Sequence, residues 1–253
     1  MQNDFYDALA PFNHLLFADW KRFQRWQLDK LAPFLPRPAP EVRVIDCASG
    51  IGTQLLPFAA AGYQMTGIDS SLQSVERSRN ELESVGMVAT ILHGDILTHG
   101  PDEWGLKGSA HVALLLDNYL THAENDTEAL DALCFARQCL TTQGQALVAL
   151  RDYDETTDVR PATTAPAFYA DGGRRRIVHQ VWDWHDDGSY DFHLHFVIET
   201  ELAAWETKHF VGRYRPIARS RVVELAREAG FRQIELIPPA ASTYHQWLVD
   251  ART

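Results

Sequence analysis

The feature that most constrains this chain is the alternation of strand-like and helix-like segments between residues 42 and 150. Short apolar segments typical of buried strands are separated by helical periods that end at glycine. Consecutive parallel strands need a helical crossover, so this order predicts a parallel sheet with helices on both faces. The strand-like segments are 42–45, 64–68, 89–92, 111–116 and 146–150.

The segments that flank this core follow other patterns. Residues 5–35 have helical apolar spacing and end at the prolines of 35–40. Three β-rich runs follow the fifth strand, and Asp187-Gly188 is typical of a hairpin turn between two of them. The runs are 174–184, 190–200 and 204–214, and a helix at 220–229 and strands at 233–237 and 244–249 close the chain.

We therefore predict an α/β fold, a Rossmann-like, seven-stranded, mostly parallel, doubly wound sheet with N-terminal helices and an antiparallel β insertion after the fifth strand. One domain, residues 1–253, is expected. Its expected parts are an N-terminal helical cap (1–40), a core (41–150), an antiparallel insertion (151–215) and a closing helix and strands (216–253).

Composition excludes several classes of protein. The content of 45% apolar and 23% charged residues is typical of a globular chain. A net charge of -11 disfavours nucleic-acid binding, because phosphate backbones are repelled. No apolar run is long enough to cross a membrane, and the first residues lack the pattern of a signal peptide. Three cysteines without CxxC spacing predict neither disulfides nor a metal site, and a cytoplasmic location is expected.

The turn after the first strand indicates a ligand site. Ala48, Gly50 and Gly52 are small enough for a ligand to approach the backbone closely. The next strand ends at Asp69, 17 residues after Gly52, where an acid can accept hydrogen bonds from a ribose diol. The pattern therefore predicts a ligand that contains a nucleoside.

The same turn disfavours a nicotinamide dinucleotide. The third small residue of that fingerprint would fall on Leu55 or Thr53, depending on the alignment. Asp46, at the strand end, would repel a pyrophosphate. S-adenosylmethionine is cationic and carries no phosphate, so the charge pattern favours it.

These residues resemble the motifs of the class I S-adenosylmethionine-dependent methyltransferases. Glycine often stands where this chain has Ala48, and Asp69 matches the ribose-binding acid of the family. The resemblance implies that Asp95 faces the adenine amino group and that Asp117 lies beside the methionine end. The cofactor-binding residues that it implies are Asp46, Ala48, Gly50, Gly52, Asp69, Ser70, Asp95, Ile96, Leu116, Asp117 and Asn118.

Three further segments resemble the glycine/sarcosine N-methyltransferase-like branch. They are Tyr6 to Trp20, Asp117 to His122, and Arg151 to Asp154. The resemblance implies that Tyr6 and Arg25 also contact the cofactor. It implies that Arg151 binds a substrate carboxylate. Tyr153 and Tyr214 are further candidates for the substrate pocket.

Two of these residues have alternative roles. Arg151 could instead pair with Asp152 or Asp154 at the surface. His122 is the candidate general base together with Tyr6, although it could instead cap the next helix.

His193 and His195 share one face of a strand and lack an evident third ligand, so no metal is predicted.

The sequence thus predicts transfer of a methyl group from S-adenosylmethionine to a small molecule. An amine nitrogen of an amino-acid-like acceptor, of the glycine/sarcosine type, is expected. The alternatives are O- or C-methylation of another small metabolite, or a non-catalytic protein that binds S-adenosylmethionine. The small-molecule substrate is the expected partner, and a homo-oligomer stays open.

Overall fold

A computed structural model of the chain describes residues 2–171, 174–200 and 204–253. The helices are α1 (Gln2–Leu9), α2 (Trp20–Leu31), α3 (Leu55–Ala61), α4 (Leu72–Ser84), α5 (Asp126–Cys139), α6 (Tyr153–Val159), α7 (Arg219–Glu228) and α8 (Pro239–Ser242). The strands are β1 (Arg43–Asp46), β2 (Gln64–Asp69), β3 (Thr90–His93), β4 (Ala110–Leu115), β5 (Leu140–Leu150), β6 (Ala167–Asp171), β7 (Arg174–Trp184), β8 (Tyr190–Glu199), β9 (Trp205–Tyr214), β10 (Gln233–Ile237) and β11 (Trp247–Arg252).

The central sheet has seven strands in the order β10-β11-β5-β4-β1-β2-β3. β1 to β5 pair in parallel, and β11 runs antiparallel between β5 and β10. The order reverses at β1, so the loops after β1 and β4 diverge there and leave a crevice at the strand ends. The predicted doubly wound, mostly parallel sheet is confirmed.

The insertion after β5 forms a separate antiparallel sheet in the order β6-β7-β8-β9. The predicted antiparallel character is therefore confirmed. Two of its elements were not predicted, the short helix α6 and the edge strand β6. The N-terminal segment is also less regular than its apolar spacing predicts, because 3-10 turns interrupt it at Asn13–Leu16 and Ala32–Phe34.

Helix α1 lies between the two sheets. Phe5 packs edge-on against Phe192 of β8, with ring centroids 5.3 Å apart. On the opposite side, Asp7 accepts hydrogen bonds from the Ser71 hydroxyl (2.6 Å) and from the Gln73 backbone N–H (3.1 Å). These contacts fix α1 as a cover over the ends of β1 and β2.

The helices of the described segments are short. The longest, α5, has 14 residues, and none of the helices described has the length and apolar character that a membrane span requires.

Candidate functional site

A cavity of about 240 Å³ lies where the carboxyl ends of β1 to β4 face the inner side of the insertion sheet. Helix α1 closes it from above. The sheet contributes loop residues after each strand, and the insertion contributes mainly apolar side chains. The lining residues include Phe5, Tyr6, Asn13, Ala48, Ser49, Gly50, Gln54, Asp69, Ser70, Asp95, Ile96, Leu116, Asp117, Tyr119, His122, Gln180, Phe192, Leu194 and Tyr214.

The loop after β1 is held by Asp69 at the end of β2. The Asp69 carboxylate accepts hydrogen bonds from the backbone N–H of Gly50 (2.7 Å) and of Ser71 (2.9 Å). Burial raises the pKa of Asp69 to about 6, against the effect of these two N–H donors. The carboxylate thus fixes the two loops that line the cavity at this end and also lines the cavity itself.

Asp46, the last residue of β1, is buried behind the cavity wall that Cys47 and Ala48 form. Among the residues that the structure describes, its Oδ1 accepts one long hydrogen bond, from the Ala48 N–H (3.4 Å), and its Oδ2 accepts none. Burial is the main cause that raises the pKa of Asp46 to about 8, and the carboxylates of Asp117 and Asp69 contribute to this rise against the effect of the Ala48 N–H. A cation in the cavity would relieve this cost, so the residues present fit the cationic end of S-adenosylmethionine.

Asp117 projects from the end of β4 as an exposed side chain in the cavity wall. It has a left-handed backbone, with a φ of 53°. Gln54 Nε2 donates to Asp117 Oδ2 (2.6 Å) and also to Gln27 Oε1 (3.1 Å), and Tyr244 donates to the same Gln27 oxygen (3.0 Å). This network holds one carboxylate oxygen of Asp117, so the orientation of the group is fixed.

The opposite wall carries uncharged polar groups. The Tyr6 hydroxyl and His122 Nε2 form a hydrogen bond of 2.7 Å. The rings of Tyr214 and His122 pack edge-on, with their centroids 4.8 Å apart. Burial raises the pKa of Tyr6 well above its usual range and lowers that of His122 to about 4. At neutral pH these groups form a wall that offers hydrogen bonds and no charge.

The depressed pKa of His122 predicts a pH dependence of stability. Between pH 6.5 and 4 the unfolded chain binds a proton at His122 that the folded chain does not bind, so a falling pH favours unfolding. This contribution to stability is complete above pH 6.5 and is lost as the pH falls toward 4. We expect the wild-type protein to lose stability relative to His122→Asn across this window. Urea unfolding at a series of pH values measures the difference, and a difference that is independent of pH would contradict the prediction.

Most of the residues predicted for the site meet at this cavity. The structure places ten of them in its lining, namely Tyr6, Ala48, Gly50, Asp69, Ser70, Asp95, Ile96, Leu116, Asp117 and His122, and Tyr214 joins them from the insertion. Six others do not line it, namely Arg25, Asp46, Gly52, Asn118, Arg151 and Tyr153.

The residues outside the lining have different positions. Arg25 is exposed on α2, and the structure does not bring it to the cavity. Gly52 packs closely against Leu56 of α3 and Ser78 of α4. An added Cβ would lie 2.3 Å from Leu56 Cδ1 and 2.8 Å from Ser78 Oγ. Asn118 accepts the Arg151 backbone N–H through its Oδ1 (2.7 Å), so it holds the start of the insertion.

Arg151 lies behind the cavity against aromatic rings. Its Cζ is 5.1 Å from the Trp182 ring centroid, and its Nη1 is 3.4 Å from the Tyr190 hydroxyl. The alternative surface ion pair is not formed, because Arg219 pairs with Asp152 (2.7 Å) and with Asp154. Within the described residues, no carboxylate lies at ion-pair distance from Arg151.

Sequence reasoning missed several lining residues. Ser49 and Gln54 stand inside the predicted first motif, and Phe192 and Leu194 lie on the inner face of β8. Gln180 had a recognisable signal, since it is a polar residue between Val178 and Trp182, the apolar neighbours on its face of β7. Among the residues that the structure describes, no three or more His, Cys, Asp or Glu side chains are placed to hold a metal ion.

Comparison with known proteins finds one curated relative and many solved structures of the same fold. The glycine/sarcosine N-methyltransferase of Aphanothece halophytica is 21% identical over 207 residues, which are 81% of this chain and 71% of that protein. Among solved structures, Streptomyces venezuelae DesVI has a TM-score of 0.75 at 16% identity and covers 91% of this chain and 92% of its own. This chain has the class I S-adenosylmethionine-dependent methyltransferase fold.

A second solved structure has the same fold with the cofactor bound. It is an amino pentose methyltransferase from Micromonospora echinaspora, with S-adenosylmethionine present, a TM-score of 0.70 and 14% identity over 93% of this chain and 92% of its own. No protein-family model matches the chain. The shared fold is therefore that of solved proteins described as S-adenosylmethionine-dependent methyltransferases.

Proposed function

We propose that this protein transfers a methyl group from S-adenosylmethionine to the nitrogen of a small amine. The observation that carries the proposal is the charge pattern of the cavity. Asp69, Asp95 and Asp117 line the side at the strand ends, and no Lys or Arg stands among the described lining residues. Such a cavity favours cationic ligands, and both the cofactor and an amine are cations in solution.

The cofactor would be held at the ends of β1 to β4. Asp69 would bind the ribose diol, with Gly50 beneath it and Asp95 and Ile96 toward the adenine. Asp117 would face the methionine end, with Asp46 behind the same wall. When bound there, S-adenosylmethionine supplies an electrophilic methyl group on its sulfonium.

The remaining wall would position the acceptor. Methyl transfer needs no acid to assist the leaving group, so alignment and exclusion of water are the main requirements. Burial holds the pKa of His122 at about 4, so the imidazole is a weak base and a poor acceptor for the amine proton. We infer that Tyr6, His122 and Tyr214 orient the amine by hydrogen bonds and that its proton leaves to solvent.

An amino-acid-like acceptor is the first candidate. Arg151 has no carboxylate partner among the described residues, and a guanidinium binds a substrate carboxylate through two parallel hydrogen bonds. The named activity of the Aphanothece halophytica relative supports this candidate. A carboxylate would have to reach Arg151 past the aromatic residues that now separate it from the cavity.

A hydroxylated amine is the second candidate. As far as the structure describes it, the lining carries amide and hydroxyl groups and no Lys or Arg, which suits neutral oxygen substituents better than a carboxylate. One solved neighbour is described as an amino pentose methyltransferase and another as a sugar N-methyltransferase. O- or C-methylation and binding without transfer are the outcomes that would displace both candidates.

We also propose how the chain divides these tasks. Residues 41–150 would bind the cofactor, and 216–253 would complete the sheet. The N-terminal cap (1–40) and the insertion (151–215) would cover the acceptor. The position of α1 between the two sheets supports this division.

The test is turnover with an amine panel. We expect S-adenosylhomocysteine to form with at least one of glycine, sarcosine, ethanolamine and D-glucosamine, and mass spectrometry should place the new methyl group on nitrogen. Arg151→Gln should raise KM for glycine and sarcosine and leave KM for ethanolamine and D-glucosamine unchanged. Cofactor binding without transfer to any of the four would contradict the proposal.

A further inference from the structure

The inner face of the insertion sheet carries an amide within an apolar wall. On β7 this face presents Val178, Gln180 and Trp182, and the strand register places Leu194 directly opposite Gln180. Gln180 and Leu194 both line the cavity. A polar group in such a wall costs free energy unless its hydrogen bonds are made.

Chemistry fixes which end of the Gln180 amide faces the protein. The Trp182 indole Nε1 donates to Gln180 Oε1 at 2.8 Å. An indole nitrogen can only donate, so the oxygen of the amide must point toward it. The NH₂ group is therefore the free end, and it has no hydrogen-bond partner among the described residues.

The backbone of Gln180 is fixed as firmly as its oxygen. Its N–H donates to the Thr164 hydroxyl (2.9 Å), and its carbonyl accepts from the Thr164 N–H (2.9 Å) and the Thr163 hydroxyl (2.7 Å). These bonds hold β7 against the segment that precedes β6. The amide donor is thus rigidly positioned before any ligand arrives, which lowers the entropy cost of binding.

We propose that Gln180 is a specificity-determining residue that donates a hydrogen bond from Nε2 to an oxygen of the methyl acceptor. The inference rests on the proposed function and adds the chemical class of the acceptor, an amine that bears an oxygen acceptor within reach of its nitrogen. Phe192 and Leu194 exclude water around this contact, so an amine without the oxygen leaves the amide unpaired. Trp182 acts as a positioning residue through its bond to the amide.

The experiment compares kcat/KM for ethanolamine, ethylamine, glycine and D-glucosamine in the wild-type protein and in Gln180→Leu, Gln180→Glu and Trp182→Phe. In the wild type, ethanolamine should exceed ethylamine by about tenfold or more. In Gln180→Leu this preference should disappear, because KM for ethanolamine rises about tenfold. Both kcat and the Kd for S-adenosylhomocysteine should stay within about twofold of the wild-type values. Trp182→Phe should lose part of the preference, because the amide is no longer fixed.

Gln180→Glu distinguishes the two possible sources of the oxygen. Its carboxylate repels a carboxylate acceptor, so turnover of glycine should fall by about 100-fold. A hydroxyl can donate to the same carboxylate, so turnover of the amino alcohols should stay within about threefold of the wild type. Gln143→Leu, at an exposed glutamine outside the cavity, is the matched control.

The outcomes separate the two proposals. If Gln180→Leu folds and keeps the wild-type preference for ethanolamine over ethylamine, the role of Gln180 is wrong and methyl transfer stands. Equal turnover of ethanolamine and ethylamine by the wild-type protein would also overturn the proposed role of Gln180. If the wild-type protein binds the cofactor and methylates no amine, both the acceptor class and the role of Gln180 are wrong.

Discussion

Asp69→Ala is expected to weaken the binding of S-adenosylmethionine by about 100-fold or more. A hydrogen bond to a charged group contributes about 1.5–3 kcal/mol, and the substitution removes the proposed bonds to the ribose. It also releases the backbone N–H groups of Gly50 and Ser71, which Asp69 holds at 2.7 and 2.9 Å. Calorimetric titration of the folded variant measures the loss.

Two companion variants make this result specific. Asp69→Asn keeps one oxygen for a backbone N–H, so it should retain the fold and still lose most of the affinity. Asp29→Ala removes an exposed carboxylate from α2, outside the cavity lining, and should bind like the wild type. Wild-type affinity in a folded Asp69→Asn protein would show that Asp69 braces the loop without contacting the cofactor.

Gly52→Ala is expected to destabilise the protein by about 2–4 kcal/mol, which lowers the melting temperature by about 5–15 °C. Gly52 has a φ of 91°, which L side chains rarely adopt. An added Cβ would also lie 2.3 Å from Leu56 Cδ1 and 2.8 Å from the buried Ser78 hydroxyl. Thermal unfolding followed by circular dichroism tests the size of the effect.

Gly50→Ala is the matched control for this prediction. Gly50 also has a positive φ, of 52°, but a Cβ there would meet nothing within 4 Å. Only the backbone strain remains, so the loss should be about 1–2 kcal/mol. Equal losses in the two variants would mean that the contact with α3 and α4 is not what makes Gly52 necessary.

The central sheet could be predicted because each of its local signals agrees with the global fold. The strands are apolar on both faces, Gly62 and Gly86 follow the ends of α3 and α4, and the acids at strand ends mark the crevice. The insertion was harder to delimit. Its edge strand β6 is only five residues long, and α6 is a short helix that begins at the capping side chain of Asp152.

The register of α2 explains why Arg25 lies outside the cavity lining. Apolar spacing in the sequence favours the face that carries Phe23 and Trp26. In the structure, the buried residues of α2 include Gln24 and Gln27, and Gln27 accepts hydrogen bonds from the network around Asp117. A buried face that includes two glutamines is not visible to a hydrophobic pattern, and Arg25 falls on the exposed side.

The side of the cavity at the strand ends was largely predictable, whereas the side that the insertion sheet forms was not. Asp69, Asp95 and Asp117 follow consecutive strands of one sheet, so their convergence follows from topology alone. Gln180, Phe192 and Leu194 come from strands whose place at the cavity depends on how the insertion folds over the sheet. Their meeting is a long-range contact that no local pattern in the sequence specifies.

Calorimetric titration of the wild-type protein with S-adenosylhomocysteine is the most direct test of the central claim, that the crevice at the ends of β1 to β4 binds this cofactor. We predict one site per chain with micromolar affinity, and no measurable heat with the nicotinamide dinucleotides. A folded protein that gives no heat with S-adenosylhomocysteine, or that binds a dinucleotide instead, would contradict the account.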